Sequence, residues 1–200
     1  MTLALIDYGA GNLHSVANAL AAAGCDDLAI TADPRAVARA DRIVLPGVGA
    51  FGACAAALCA IPGMIEAMEA RVLKQGAPFL GVCVGMQLMA EAGDERGTHA
   101  GLGWIPGRVS HLTPTPAAKV PHMGWNDVVP TISHPLIVPG EAYFLHSYAF
   151  AGAHVLATTD HAGPVTAAIG RDNMLGVQFH PEKSQSYGLA LLRRFLAWKP

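Results

Sequence analysis

Three short stretches of this sequence hold residue types that do chemistry together. The first is Gly81-Val82-Cys83-Val84-Gly85, a cysteine with a glycine two positions to either side. An all-apolar run precedes it and helical sequence follows, so the thiol falls on a strand-to-helix turn. A nucleophile on such a turn sits on a sharply bent, strained backbone and projects from the carboxyl end of a sheet. The glycines remove β-carbons that would collide there. The N–H groups of a helix starting at Val84 face the sulfur, where they favour thiolate over thiol and can later hold an oxyanion. A small buried hydrophobe is the plainer reading of a free cysteine. It suffices for Cys25, Cys54 and Cys59, whereas the paired glycines and the turn favour a nucleophile at Cys83.

A thiol nucleophile needs a base, and nine histidines compete for that role. His180 stands out because it ends the strand-like Leu175-Gly176-Val177-Gln178-Phe179 and precedes Pro181-Glu182. Proline stiffens the unit and biases His180 toward extended geometry. Residues two apart in an extended segment share a side, so Glu182 can reach the imidazole, fix its tautomer and steady its cation. A surface ion pair worth almost nothing is the competing account. The third stretch, Pro46-Gly47-Val48-Gly49-Ala50-Phe51-Gly52, also follows a strand. Its glycines can aim several amides at one point, as an anion cradle or a second oxyanion donor, or can simply form a tight turn. It lacks the Lys-Ser/Thr ending of a phosphate-binding P-loop.

The elements that must position these residues are legible in the pattern. Leu3 to Asp7 reads as a strand, and Leu13, Val16, Ala17, Leu20 and Ala21 as the apolar face of a helix capped by Asn12 and stopped by Gly24. Leu28–Thr31, Arg42–Leu45 and Pro78–Val82 read as further strands. Helices are expected over Pro34–Ala40, begun by the Asp33-Pro34 signal, over about Cys54–Lys74 with a break at Ile61-Pro62-Gly63, and over Val84–Glu91. Such strand–helix repetition predicts an α/β fold: a three-layer, doubly wound, mostly parallel sheet with right-handed crossovers. In the second half, strand-like pieces near Val109, Val128, Tyr143, Val155, Val165 and Leu175 predict antiparallel additions to the same sheet. Ser184 is expected to cap a last helix with Leu189, Leu192, Phe195 and Leu196 on its apolar face. No linker or repeat divides residues 1–200, so one domain is expected.

Composition sets outer limits. Of the 200 residues, 52% are hydrophobic and only 14% charged, which excludes a disordered chain. A net charge of −2 leaves no basic field for nucleic acid or an anionic membrane. The four cysteines show no CxxC spacing and no histidine cluster at zinc-ligand spacing, so no metal is expected and the thiols read as reduced, in the cytoplasm. Asp7 interrupts the first apolar run and no basic segment precedes it, unlike a secretory signal. Ile43 to Ile65 is uncharged and long enough to span a bilayer, but its alanines, prolines and glycines favour buried loop and helix.

Together, the glycine loop, Gly81-Val82-Cys83-Val84-Gly85-Met86-Gln87 and Phe179-His180-Pro181-Glu182 resemble the triad-type, class I glutamine amidotransferases. The Cys, His, Glu order matches that family over the whole chain. Asp7-Tyr8-Gly9-Ala10-Gly11-Asn12-Leu13, Lys119 to Asn126, Tyr143 to Tyr148 and Pro181 to Gln185 resemble signatures of the glutaminase subunits of imidazole glycerol phosphate synthases. The resemblance implies a flavodoxin-like fold and a cofactor-free glutaminase in histidine biosynthesis. It implies Cys83 as nucleophile, His180 as acid and base, and Glu182 as orienter. The oxyanion would be held by Val84 N–H and an amide of the Val48-Gly49 loop, with Gly47, Gly49, Gln87, Ser147 and Tyr148 positioning glutamine. It further implies a heterodimer with a (β/α)8-barrel cyclase subunit that receives the ammonia.

Several side chains on or beside those signatures then become candidates for the partner interface: Asn12, Met123, Trp125, Tyr143, His146 and Lys183. Aromatics and methionine are common interface anchors, although Trp125 could equally plug a gap in the core. The glycines around Val48 make peptide rotation easy, so the loop is expected to switch between misaligned and aligned oxyanion donors. Rival readings are a stand-alone γ-glutamyl hydrolase, the glutaminase of another synthase such as the pyridoxal phosphate one, and a non-enzymatic module with a decorative triad.

Overall fold

The computed structural model describes residues 1–200. Five strands pair in parallel in the order β2 (Leu28–Thr31), β1 (Leu3–Ile6), β3 (Arg42–Leu45), β4 (Phe79–Val82) and β13 (Met174–Val177). Apart from the edge strand β2, each is buried at every residue, which is why their apolar runs do not alternate. The sheet continues antiparallel through β12 (Pro164–Arg171), β11 (Val155–Asp160), β8 (His122–Pro130) and β9 (Gly140–His146), making nine strands.

The chain leaves β1 outward to β2 through α1 (Leu13–Ala22), then returns across it through α2 (Pro34–Arg39) to β3. α3 (Phe51–Cys59) and α4 (Met64–Glu69) continue in that direction to β4. Right-handed crossovers in opposite directions put α1 on one face and α2 to α4 on the other. The contacts agree, since α1 packs against α6 (Gln185–Ala197) while α2 and α3 pack against α4. Asn12 and Asp33 cap α1 and α2 as their side chains predict, accepting from Ser15 and Arg35 amides. The uncharged run from Ile43 to Ile65 is β3, a loop, α3 and the first turn of α4. No single helix is long and apolar enough to cross a membrane; Phe51–Cys59 and Met64–Lys74 meet at a 92° bend.

Three expectations need correction. The helix after Cys83 is one turn, α5 (Val84–Gln87), and Ala90–Asp94 is a strand, β5. Backbone contacts override the helical pattern there: Leu88 and Ala90 carbonyls accept from Leu102 and Gly103, and only a glycine at 101 fits against the Ala90 carbonyl. Second, not all of the later strands join the main sheet. β5, β6 (Thr98–Ala100), β7 (Ile105–His111) and β10 (Tyr148–Gly152) form a separate four-stranded sheet in the order β10-β7-β5-β6. The chain changes sheets at Ser147, between β9 and β10. Third, Ser184 occupies the N-cap position of α6 but makes no capping bond; its hydroxyl is used elsewhere.

The close packing of α5 on the ends of β3 and β4 sets a strict limit on side-chain volume. A β-carbon at Gly85 would overlap the Leu45 carbonyl oxygen, and one at Gly81 would lie 2.7 Å from the Gly85 carbonyl oxygen. Neither obstacle is a flexible side chain. Gly85→Ala is therefore expected to destabilise the fold by about 1–3 kcal/mol or more, read as a lower urea midpoint with an unchanged slope.

Candidate active site

Parallel neighbours β3, β4 and β13 deliver the three chemical stretches at adjacent carboxyl ends, where open α/β sheets bind ligands. Cys83 directly follows β4, and its amide donates to Val177 O at 2.8 Å, so the pairing with β13 runs up to the cysteine itself. There the backbone breaks, with φ 54° and ψ −111° at Cys83. A positive φ at a residue with a β-carbon is strained, and such strain persists only where surrounding packing imposes it. Here the imposing contacts are those of Gly81 and Gly85. The sulfur is buried, with Gln178 Nε2 at 3.8 Å.

β13 ends at Val177, and the next three residues bring His180 to the same edge. Its backbone is clamped on both sides: its N–H donates to Tyr143 O at 2.9 Å, and Ser184 Oγ donates to its carbonyl at 2.6 Å. Ser184 Oγ also accepts from Tyr143 N–H at 2.9 Å, closing a ring between β9 and the His180 turn. The imidazole meets Glu182 through Nδ1 and Oε1 at 2.8 Å, with side chains only 3% and 2% exposed. A surface ion pair is thereby ruled out. The two residues meet through a 3-10 turn over Pro181–Lys183 rather than along an extended strand, a correction to the expected route. Burial alone favours a neutral ring at His180. The neighbouring Cys83 and the hydrogen-bonded Glu182 carboxylate outweigh it and raise the pKa to about 9.

The glycine loop is held at two carbonyls. Tyr8 OH donates to Pro46 O at 2.7 Å, and Cys54 Sγ donates to Val48 O at 3.5 Å. Gly49 has φ +109°, a conformation that suits glycine. Between the anchors, Gly47 O accepts from Val84 N–H at 3.4 Å. The expected Val84 oxyanion donor thus faces a carbonyl, and in a trans peptide the Val48 N–H points away from that carbonyl.

A cavity of about 170 Å³ opens over these groups, lined by Val48, Gly49, Cys83, Val84, Gln87, Ser147, Tyr148 and His180 among others. Gly47, expected to position glutamine, is not part of that lining; a β-carbon there would meet Gly85 N, Tyr8 OH and Val84 within 3 Å. The Gln87 amide nitrogen is committed to Tyr148 O at 2.9 Å and Gln178 Oε1 at 3.0 Å, so only its oxygen remains free to meet a ligand. Glu95, Leu145 and Gln178 belong to the site or its floor and escaped the sequence reading. Gln178 could have been found, since a polar residue at the end of the apolar β13 run needs a buried partner. A larger open groove of about 700 Å³ beside Asp127–Gly140 holds none of these chemical groups. No cluster of His, Cys, Asp and Glu could hold a metal ion.

The candidate interface residues divide. Met123 and Trp125 are 59% and 47% exposed, so Trp125 does not plug the core. They face outward on β8 opposite Leu145 and Tyr143 of β9, and the Trp125 and Tyr143 rings meet edge-on at 6.2 Å. Lys183 lies 5.8 Å above the Tyr143 ring, and Asn12 is exposed at the start of α1. His146 departs from this group. It is buried on the opposite face of β9, in the cavity wall, as strand alternation from Tyr143 and Leu145 requires.

A cysteine on a strained strand-to-helix turn and a buried His–Glu pair thus meet at one edge of a doubly wound sheet. The chain belongs to the class-I glutamine amidotransferase family, whose sequence model matches residues 4–198. It is 63% identical over 206 residues to the imidazole glycerol phosphate synthase subunit HisH of Zymomonas mobilis, covering 100% of this chain and 97% of that one. Identity to the subunit of the same name from Brucella suis is 50% over 216 residues, covering both chains completely. Among solved structures, a glutamine amidotransferase superposes with TM-score 0.76 at 16% identity over 98% of each chain. The glutaminase domain of Trypanosoma brucei CTPS gives 0.67 at 17% identity, over 98% of this chain and 92% of that one. At such identities these two structures speak to the fold alone.

Removing the Glu182 charge tests the electrostatics. His180 is raised above its unfolded value, so its protonation stabilises the fold fully below pH 6.5 and less as pH rises through about 9. Glu182→Gln is expected to move the NMR titration of the His180 ring down from about 9 and to flatten the loss of stability between those pH values. An unmoved titration would contradict the assignment.

Proposed function

We propose that this chain hydrolyses glutamine to glutamate and ammonia and supplies the ammonia to a cyclase subunit in histidine biosynthesis, as its full-length similarity to HisH subunits indicates. The observation that carries the chemical reading is His180 and Cys83 in the wall of one cavity, with the imidazole backed by the buried Glu182 carboxylate. Cys83 thiolate attacks the side-chain amide carbon of glutamine, and the carbonyl oxygen becomes an oxyanion. With its pKa raised to about 9, His180 carries a proton at neutral pH and gives it to the leaving nitrogen. Ammonia departs and a γ-glutamyl thioester remains on Cys83. His180, now neutral, takes a proton from water as the water oxygen attacks the thioester, and glutamate leaves with the thiolate restored.

Glu182 fixes the His180 tautomer. Gly49, Ser147 and Tyr148 contact glutamine in this reading, Gly47 keeps the floor beneath it low, and Gln87 acts through its free oxygen. Ammonia released into water would be protonated to ammonium, which is not nucleophilic. The reading therefore includes a partner docked over the cavity, a (β/α)8-barrel cyclase forming a heterodimer with this chain. Ammonia passing through that barrel would react there with a phosphoribulosyl-formimino aminoimidazole carboxamide nucleotide to give imidazole glycerol phosphate and aminoimidazole carboxamide ribonucleotide. The outward patch of Met123, Trp125, Tyr143 and Leu145, flanked by Lys183 and Asn12, is the docking face. The protein acts as one domain, in the cytoplasm and without a cofactor.

The Gly47–Val48 peptide is the switch. With the Gly47 carbonyl turned to Val84 N–H, the oxyanion site holds an acceptor where the reaction needs donors. Rotation of that peptide frees Val84 N–H and turns Val48 N–H inward, and glycine makes the rotation easy. Glutamate release is expected to be slow for the isolated chain, faster with the cyclase, and fastest when the cyclase also holds its nucleotide. Equal rates in all three conditions would end the switch, and no release in any of them would end the glutaminase reading.

A further inference from the structure

A row of polar side chains, buried at its two imidazoles and half-exposed at Asn126, carries none of the roles proposed so far. Asn126 and His122 share the inward face of β8, and His146 sits directly opposite His122 on β9. The contacts run in line: Asn126 Nδ2 to His122 Nε2 at 3.0 Å, His122 Nδ1 to His146 Nε2 at 3.0 Å, and His146 Nδ1 to Tyr148 O at 2.9 Å. The two imidazoles belong to residues only 3% and 6% exposed.

The two ends of the row locate every proton in it. Asn126 Nδ2 also donates to Asp160 O at 2.8 Å, and Asn126 Oδ1 accepts from Asp127 N–H at 2.8 Å. The amide therefore has one orientation and both of its hydrogens are used. His122 Nε2 faces a donor, so it carries the lone pair and its proton lies on Nδ1. At the other end the Tyr148 carbonyl accepts, so His146 Nδ1 carries the proton and its Nε2 the lone pair. The middle contact is left with one donor and one acceptor, and each end demands that polarity independently. An added proton on either ring would set two donors against each other. Burial first, and nearby His161 second, lower the His122 pKa to about 4. Burial likewise lowers that of His146 to about 4, against a hydrogen bond to Tyr148 O that raises it. The neutral rings required by the row are thus the favoured ones.

We propose that Asn126 and His122 are positioning residues for glutamine, holding His146 as its Nδ1–H tautomer so that it anchors the Tyr148 carbonyl in the cavity wall. Gln87 Nε2 donates to that same oxygen at 2.9 Å, and two donors on one carbonyl resist its rotation. The row thereby fixes the Ser147–Tyr148 segment where the chain passes from one sheet to the other. The proposal rests on reading the cavity as the glutamine site, and it predicts an effect on glutamine binding rather than on bond breaking.

Long-range proton–nitrogen spectra of the histidine-labelled chain at neutral pH are expected to show His122 and His146 both as Nδ1–H tautomers. In the heterodimer, His122→Phe keeps a ring between Phe144 and His161 but removes the donor. It is expected to raise the KM for glutamine about tenfold, with kcat within about twofold, as loss of one buried hydrogen bond implies. His122→Asn places an amide nitrogen where Nδ1 stood and is expected to restore the KM. Nε2–H tautomers, an unchanged KM in His122→Phe, or a fall in kcat at constant KM shared by both variants would overturn the proposal. The spectra need no turnover, so a chain that fails to hydrolyse glutamine would defeat the functional reading without obscuring this one.

Discussion

The site depends on a carboxylate and an imidazole held 2.8 Å apart where almost no water reaches them. Withdrawing both from solvent is expensive, and an ion pair so placed is poor evidence of stability for its own sake. It persists because the backbone leaves the ring nowhere else to go. Tyr143 and Ser184 clamp the His180 peptide, and Pro181 starts the turn that brings Glu182 back beneath the ring. One Glu182 oxygen remains buried without a partner, so the carboxylate is held mainly through its contact with the imidazole. The return on this arrangement is a ring that stays protonated at neutral pH beside a thiol.

The sheet makes that encounter possible between residues far apart in the chain. β4 and β13 are neighbours with aligned register, Val82 opposite Val177, so Cys83 and the residues leading to His180 emerge side by side. β3 lies on the other flank of β4 and contributes the glycine loop. Packing of α5 against that loop is so close that three glycines, at 47, 81 and 85, form one contact. The same closeness brings the Gly47 carbonyl against the Val84 N–H. Strain at Cys83 and the orientation of Gly47 are consequences of a single piece of packing.

Local signals in the sequence reach a long way into this structure. The apolar runs of β1, β3 and β4, the caps at Asn12 and Asp33 and the glycine-flanked cysteine are each set by neighbours within a few residues, and each stands where its pattern predicts. What escaped the pattern is decided by distant contacts. Ala90 and Glu91 read as the end of a helix because the partners that make Ala90–Asp94 a strand lie past a turn in β6 and further on in β7. The second sheet is invisible for the same reason. Ser184 looks like a cap until Tyr143 arrives from another strand to claim its hydroxyl. His146 could have been placed correctly, since simple alternation along β9 sets it opposite to Tyr143. The Asn126–His122–His146 row needed the fold, because only cross-strand register brings it together.

The central claim is that Cys83 alone among the four thiols is poised for attack on a γ-carboxamide. The direct measurement is labelling by a glutamine-mimicking electrophile with the cyclase present, mapped by peptide mass. Modification is expected at Cys83, far faster than at Cys25, Cys54 or Cys59 and matched by loss of glutamate release. Labelling of Cys83 no faster than of Cys25 would contradict it.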